Sequence, residues 1–309
     1  MNDARWTLAD LPDLSGTRAV VTGVTSGLGT TTALELARAG AAVVLVARSA
    51  DRLATTRASL AAALPSAEFH SAIVDLADLS SVRRGAATIA DLGPIDLLVN
   101  NAGVMALPYA RTIDGFELQF GTNHLGPFLL TGLLLPQLVA SGHARVVTVA
   151  SQAHRLTRRA PLDDPRTMHG RYSRWGAYSG SKLANLMFTF ELDRRARAAG
   201  LPVKALAAHP GYAATELMGK PGGVAGQIMA AATRLLGQPA RLGVLPTLMA
   251  ATADLPGSTY VGPSGLFQMR GLPEVVKPRR LARDEAAQRR LWELSEAATG
   301  LRYPLPGVT

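Results

Sequence analysis

Residues 18–29 read RAVVTGVTSGLG, an apolar, β-branched run that breaks into Gly23, Gly27 and Gly29. The run suits a strand, the glycines suit a tight turn, and the helix-forming residues from Thr30 to Ala39 suit a helix that starts at once. Strand, turn and helix in this order let backbone approach a ligand closely and leave the first N–H groups of the helix facing it. Such a turn can cradle a pyrophosphate. The spacing G-x-x-x-G-x-G departs from the dinucleotide fingerprint G-x-G-x-x-G but meets the same physical demands, with Ser26 and Leu28 completing the turn. Alone, an ordinary glycine-rich βα turn reads the same way.

Further along, short apolar runs recur: AAVVLVAR near 41, FHSAIVDL near 69, IDLLVNNAG near 95, ARVVTVAS near 144 and VKALAAHPG near 203. Between them lie helix-periodic segments such as Ser49 to Leu64 and Ser80 to Asp91. The alternation predicts an α/β fold, a doubly wound parallel sheet of the Rossmann type with helices on both faces. Strand runs that are apolar at consecutive positions fit strands buried from both sides. No repeat or low-complexity linker interrupts the chain, so residues 1–309 read as a single dinucleotide-binding and catalytic domain, with 240–309 as a C-terminal extension. The apolar stretch Leu125 to Ala140 reads as one buried helix. Arg283 to Ala297 reads as a surface helix stopped by Gly300.

Two segments break the rhythm. Ala153 to Ala177 is polar, basic and long for a connection, and reads as an insertion beside the site. Residues 216–237 carry LMGKPGGVAGQIMAAATRLLG and read as a candidate substrate lid.

Composition excludes several function classes. The 309 residues are 48% hydrophobic with a mean hydropathy of +0.14, enough apolar material for a sizeable core. There is no cysteine, which removes disulfides, thiolate catalysis and iron–sulfur ligation. The six histidines are scattered without ligand spacing, so no metal site is expected. The opening residues lack a signal peptide's basic-then-apolar pattern and no stretch is built to span a bilayer, so a cytoplasmic chain without an integral membrane segment is expected. A net charge of +9 raises the question of nucleic acid, but the basic residues form short, separated groups without a stripe or interleaved aromatics. Solvated faces are the simpler reading, and no nucleic-acid partner is expected.

The second strand ends at Ala47 and Arg48, where a fold that prefers NAD would place a carboxylate for the ribose hydroxyls. A guanidinium there can pair with a 2′-phosphate in bidentate fashion, so the expected cofactor is NADP(H), with NAD(H) disfavoured.

AYSGSKLANLM, residues 177–187, places a phenol and an ammonium four residues apart inside an apolar, helix-forming run. Tyr178 and Lys182 then share one helix face. Carbonyl reduction needs a hydride on carbon and a proton on oxygen. A phenol with an ordinary pKa of about 10 shuttles protons poorly at neutral pH unless its anion is favoured. A neighbouring ammonium and the positive charge of an oxidised nicotinamide both favour it, so the Tyr178 pKa is expected to fall.

These residues line up with TGVTSGLG, Asp75-Leu76, NNAG at Asn100 to Gly103, Asn123 in TNHLGPF, Ser151, and Tyr178-x-x-x-Lys182. In this pattern the chain resembles the short-chain dehydrogenases/reductases, and its NHLG and SKLANLMF phrases resemble the retinol-dehydrogenase-like branch. The resemblance runs from about Thr17 to about Thr215. It implies Tyr178 as general acid/base, Lys182 as the residue that lowers its pKa and binds the nicotinamide ribose, Ser151 as the group orienting the substrate carbonyl, and Asn123 as holder of a water linking Lys182 to solvent. It further implies Asp75 and Leu76 on the adenine side, Asn101, Ala102 and Gly103 along the cofactor, and Pro210, Gly211 and Thr215 near the nicotinamide. Two departures stand out: Ser151 and Tyr178 are 27 residues apart, longer than usual, and Ala150 replaces a frequent second Ser.

Met105, His154, Trp175, Tyr212 and Met218 fall in segments that border the nicotinamide end. Most are apolar or aromatic, which suits a lipophilic carbonyl or alcohol as substrate. His154 reads first as a hydrogen-bonded structural residue, with a second acid as the alternative. Beyond Lys182 the helix is apolar on more than one face, which leaves two covers open: a second subunit in a homodimer, or the C-terminal extension. The competing function is a catalytically silent cofactor-binding scaffold or regulatory protein of the same fold, which would usually have lost part of the Ser/Tyr/Lys set.

Overall fold

The computed structural model describes residues 6–166, 170–211 and 239–305. Six parallel strands, β1 (Arg18–Thr22), β2 (Ala42–Ala47), β3 (Phe69–Ile73), β4 (Leu97–Asn100), β5 (Ala144–Val149) and β6 (Val203–Ala208), stand in the order β3-β2-β1-β4-β5-β6. The extension adds β7 (Tyr260–Pro263), parallel to β6, and β8 (Pro273–Val275), antiparallel to β7, which completes an eight-stranded sheet. The direction of strand succession reverses between β1 and β4. In open α/β sheets the crevice beyond the strand C-termini at such a point is where ligands bind.

Successive strand residues point to opposite faces, and both faces are apolar. Val20, Val44, Leu98 and Val146 pack with Phe128, Leu129, Phe188 and Leu192. Val21, Leu45, Val99 and Val147 pack on the other side with Leu36, Leu53 and Leu248. Double burial is the reason for runs such as AVVLVA.

The helices before the site start where capping chemistry allows. After α1 (Gly27–Arg38), α2 (Ala50–Ala63) starts at Ser49, whose hydroxyl accepts from Arg52 N, and α3 (Leu79–Ala90) starts at Asp78, whose carboxylate accepts from Ser80 N and Ser81 N. The expected single helix over Leu125 to Ala140 is corrected. A short α4 (Leu118–Phe120) passes through a π turn (Gly121–Leu125) into α5 (Gly126–Leu133), and α6 (Leu135–Ser141) follows at a 55° bend. Pro136 has no N–H to continue the ladder of α5, and it is tolerated only in the first turn of a new helix. Among the described residues no single helix is long and apolar enough to cross a membrane.

α7 (Arg174–Ala198) starts at Ser173, whose hydroxyl accepts from Gly176 N, and buries apolar residues all round. After α8 (Ala240–Gly243) and α9 (Leu245–Thr252) comes α10 (Glu285–Thr299), stopped by Gly300 in the left-handed conformation. α10 is not merely a surface helix. It lies against α7, with Trp292 fully buried in an aromatic cluster beside Phe128 (5.1 Å), Phe188 (6.0 Å) and Tyr303 (4.5 Å). The second face of α7 is thus covered within the chain. The residues proposed as a lid, 216–237, lie outside the described residues.

The Tyr303 hydroxyl donates to Phe128 O at 2.6 Å, which ties the tail to α5 deep in the core. Tyr303→Phe removes this buried hydrogen bond while Phe128 O keeps its place in the ladder of α5, an expected cost of about 0.5–1.5 kcal/mol. Urea unfolding would show it as a lower midpoint at unchanged slope; an unchanged midpoint would mean the bond carries no net stability.

Candidate active site

One continuous cleft of about 630 Å³ runs across the strand C-termini from the glycine turn to Tyr178. The turn is shaped by close packing. Gly23 has φ +75°, and a Cβ there would stand 2.8 Å from the Ala102 backbone; a Cβ on Gly29 would stand 2.2 Å from Gly23 O. Neither position accepts a side chain without moving backbone. Asn101 fastens the turn from below: its side-chain amide donates to Thr22 O at 2.8 Å, while the N–H groups of Asn101 and Ala102 both donate to the Thr22 hydroxyl at 3.0 Å. Ser26 caps α1 by position but makes no side-chain cap bond, so the first N–H groups of the helix remain for an anion. The cradle therefore fits a dinucleotide pyrophosphate.

Arg48 leaves the end of β2 exposed on the cleft, as expected. Arg52, which the sequence reading passed over, joins it there and donates to Thr25 O at 3.3 Å, so two guanidinium groups flank the same end. The signal was present: Ser49 is a helix N-cap, which puts Arg52 in the first turn of α2, just past the end of β2. Asp75 and Leu76, just past β3, line the same cleft, and Asp75 accepts from Ala77 N at 2.9 Å.

At the other end Ser151, Tyr178 and Lys182 come together. Ser151 follows β5, caps a 3₁₀ turn by accepting from Ala153 N at 3.2 Å, and shares the cleft wall with Tyr178, whose pKa it pulls down. The Lys182 ammonium donates to Val149 O at 2.8 Å and lies 5.9 Å from the Tyr178 ring centre. Gly103 stands against it, since a Cβ there would be 3.1 Å from Asn123 Oδ1 and 3.5 Å from Lys182 Nζ. Asn123 sits fully buried in the π turn, a deformation often found at functional sites. Its side chain does not open on the cleft: Oδ1 accepts from Val104 N at 2.7 Å, and Nδ2 donates to Val104 O and to Ser181 Oγ, both at 2.9 Å. Asn123 thereby clamps the segment after β4 to α7.

Burial dominates the electrostatics. It holds the Lys182 pKa down at about 8, and it raises the Tyr178 phenol above its ordinary value, against the opposite pull of Ser151. In the protein without its cofactor, desolvation of the ring outweighs its neighbours.

Met105, Trp175, Pro210 and Gly211 line the cleft, with Trp175 edge-on to Tyr178 at 5.9 Å. Gly27 and His154 do not line it. His154 is wholly buried behind Ser151: Nε2 accepts from Arg279 N at 3.1 Å, so Nδ1 carries the proton that bonds Ser151 O at 2.7 Å. With both nitrogens committed to backbone it acts as a structural brace. Thr215, Tyr212 and Met218 lie outside the described residues.

The apolar wall that sequence reasoning missed comes from far away. Phe267, Gln268 and Met269, at the β7–β8 turn, complete the substrate end together with Leu107 and Leu156. Phe267 and Gln268 have φ of +53° and +56°, and non-glycine residues held there cost on the order of 1–3 kcal/mol each. Gln152 holds the turn, donating to Gln268 Oε1 at 2.7 Å and Phe267 O at 3.2 Å, and His209 Nε2 reaches the same Gln268 oxygen at 3.3 Å.

Three buried histidines set an acid limit. Burial pushes the pKa of His124 to about 3, His154 to about 4 and His209 to about 3. Unfolded, each would protonate near pH 6.5. These are lowered values, so the stability they carry is complete above pH 6.5 and drains away as pH falls towards 4, at up to about 1.4 kcal/mol per histidine per pH unit. Urea titrations at pH 7 and pH 5 should show a marked drop, and equal midpoints would refute neutral burial.

The model of the short chain dehydrogenase family matches residues 17–161. Human "Retinol dehydrogenase 13" is 38% identical over 94% of this chain and 87% of its own length. Mouse "Polyprenol dehydrogenase" is 41% identical over 94% of this chain and 85% of its own length. Among solved structures, an uncharacterized protein from Mycobacterium Paratuberculosis superposes with a TM-score of 0.81 at 44% identity, covering 98% of this chain and 100% of that one.

Proposed function

The chain belongs to the short-chain dehydrogenase/reductase family, in its retinol-dehydrogenase-like branch, and from that premise we propose an NADP(H)-dependent oxidoreductase that interconverts a lipophilic carbonyl compound and its alcohol. One observation carries the reading: a single cleft joins Ser151, Tyr178 and Lys182 at one end to the glycine cradle and two arginines at the other.

When bound, the nicotinamide supplies or accepts the hydride. The chain's own residues handle the oxygen. Tyr178 donates its phenolic proton to the carbonyl oxygen in reduction and accepts one from the alcohol in oxidation, while the Ser151 hydroxyl holds the same oxygen in line. Lys182, anchored by Val149 O, adds positive charge beside the phenol, and with the charge of the oxidised cofactor it would favour the phenolate against burial. Asn123 is a positioning residue that keeps Gly103 and Val104 against α7.

NADP over NAD rests on Arg48 with Arg52 and on a β2 terminus without a carboxylate. A lipophilic substrate rests on the apolar end of the cleft, formed by Met105, Leu107, Trp175, Phe267 and Met269. Two similar proteins are named for retinol and polyprenol, both extended isoprenoid alcohols. The test follows reduced-nicotinamide absorbance with retinoid and polyprenoid alcohols and aldehydes beside small hydrophilic carbonyls. Turnover restricted to the hydrophilic members would overturn the substrate class. No turnover of any member would favour the silent scaffold.

A further inference from the structure

We infer that Gln268 determines substrate specificity: its side-chain amide donates to an acceptor oxygen that the lipophile carries besides the one that reacts. The preferred substrate is then an oxygenated lipophile, a diketone or hydroxyketone. Which of its oxygens reacts rests on the oxidoreductase reading above.

Hydrogen-bond directions around Gln268 are fixed from both sides. An arginine only donates. Arg155 Nε meets Gln152 Oε1 at 3.0 Å, so the amino end of Gln152 is the one that reaches Phe267 O at 3.2 Å and Gln268 at 2.7 Å. The Gln268 atom it meets must accept, and is therefore Oε1. From the other side Gly211 N donates to His209 Nδ1 at 3.2 Å, which places the imidazole proton on Nε2, 3.3 Å from the same oxygen. Burial keeps that ring neutral, so it has this one proton to donate. Two donors thus hold Oε1, and among the described residues the Gln268 amino group has no hydrogen-bond partner.

The surroundings hold the amide at the reacting end of the cleft. Phe267 and Gln268 are consecutive non-glycine residues in the left-handed region, a strain that persists only where neighbours enforce it. His209 has room for its bond because residue 262 is glycine, where a Cβ would stand 2.0 Å from Nε2. The turn also closes on Gly211, where a Cβ would stand 2.4 Å from Met269 O. Gln268 therefore lies between Gln152, the neighbour of Ser151, and Gly211.

The wall around it is apolar, formed by Leu107, Leu156, Phe267 and Met269. A lipophile that fills this end displaces water from the amide. A plain hydrocarbon chain then leaves the N–H groups unpaired, whereas a chain with an oxygen at the matching distance satisfies one of them. A few placed polar groups in an apolar pocket orient a ligand in this way, and they reject analogues that lack the partner.

The test is titration calorimetry of the full chain, with and without NADP, using a long-chain methyl ketone and diketones of the same length whose second carbonyl is moved stepwise along the chain. One spacing should bind roughly tenfold more tightly than the monoketone. Gln268→Met removes the donor. Gln268→Glu keeps an oxygen for Gln152 and His209 but puts an acceptor where the donor stood. In both variants the advantage of the favoured diketone should disappear while NADP still binds, which shows that the cleft is intact.

Equal affinity for every spacing in the wild type, or an advantage that survives both substitutions, would overturn the inference. NADP affinity lost with the diketone preference unchanged would also overturn it, in favour of the cofactor's own carboxamide as the acceptor. Calorimetry needs no turnover, so a failed preference leaves the oxidoreductase reading intact, and a protein that binds diketones selectively without reducing them leaves the role of Gln268 standing.

Discussion

Tyr178→Phe should lower kcat by on the order of 10²–10⁴ while leaving cofactor affinity near wild type. The phenol is 5% exposed, edge-on to Trp175, and beside Ser151 on the cleft wall. Removing its oxygen keeps the ring packing and the cleft's shape but takes away the transferable proton. The measurement is steady-state turnover beside nucleotide binding by titration. A loss confined to kcat assigns the proton to Tyr178. Undiminished turnover would reject the mechanism, and lost nucleotide binding would mean that the variant damaged the cleft instead. Ser151→Ala should show a smaller loss, since Ser151 orients the oxygen without supplying the proton.

Replacing Arg48 and Arg52 together by Ser should erase the NADP preference. A charge-assisted hydrogen bond is worth about 1.5–3 kcal/mol, so two of them correspond to a discrimination of roughly 10²-fold or more. Both side chains are exposed on the cleft at the end of β2 and the start of α2, and the packing of the sheet does not depend on them. Kinetics with NADPH and NADH before and after substitution would read the ratio of kcat/KM. The expected result is a collapse for NADPH with NADH little changed. An unchanged ratio would show that the arginines are solvated bystanders, and an equal loss with both cofactors would assign them to the shared pyrophosphate.

The fold was largely legible because its determinants are local and periodic. Each strand of the parallel sheet is a short apolar run, and Ser49, Asp78 and Ser173 mark helix starts by hydrogen bonds within their own first turn. The break at Leu134 was legible in principle from Pro136, but continuous apolarity hid it: every residue from Leu125 to Leu130 is buried whichever way the helix runs. The candidate site divides along the same line. Gly23, Gly29, Ser151, Tyr178 and Lys182 announce themselves through turn chemistry and helical spacing. Phe267 and Gln268 do not, since their place beside Gln152 depends on a contact across 115 and 116 residues of chain.

The sequence by itself determined the alternation of strands and helices, the glycine turn and the pairing of Tyr178 with Lys182, all governed by interactions within a few residues. Only the tertiary structure decided that α10 covers α7, that His154 braces the site from behind, that Arg52 joins Arg48, and that the β7–β8 turn walls the substrate end. Those outcomes depend on which apolar faces meet and which buried polar groups find partners, and desolvation is settled only when distant segments close over one another. The same closure raises the Tyr178 pKa where local charge alone pointed downward.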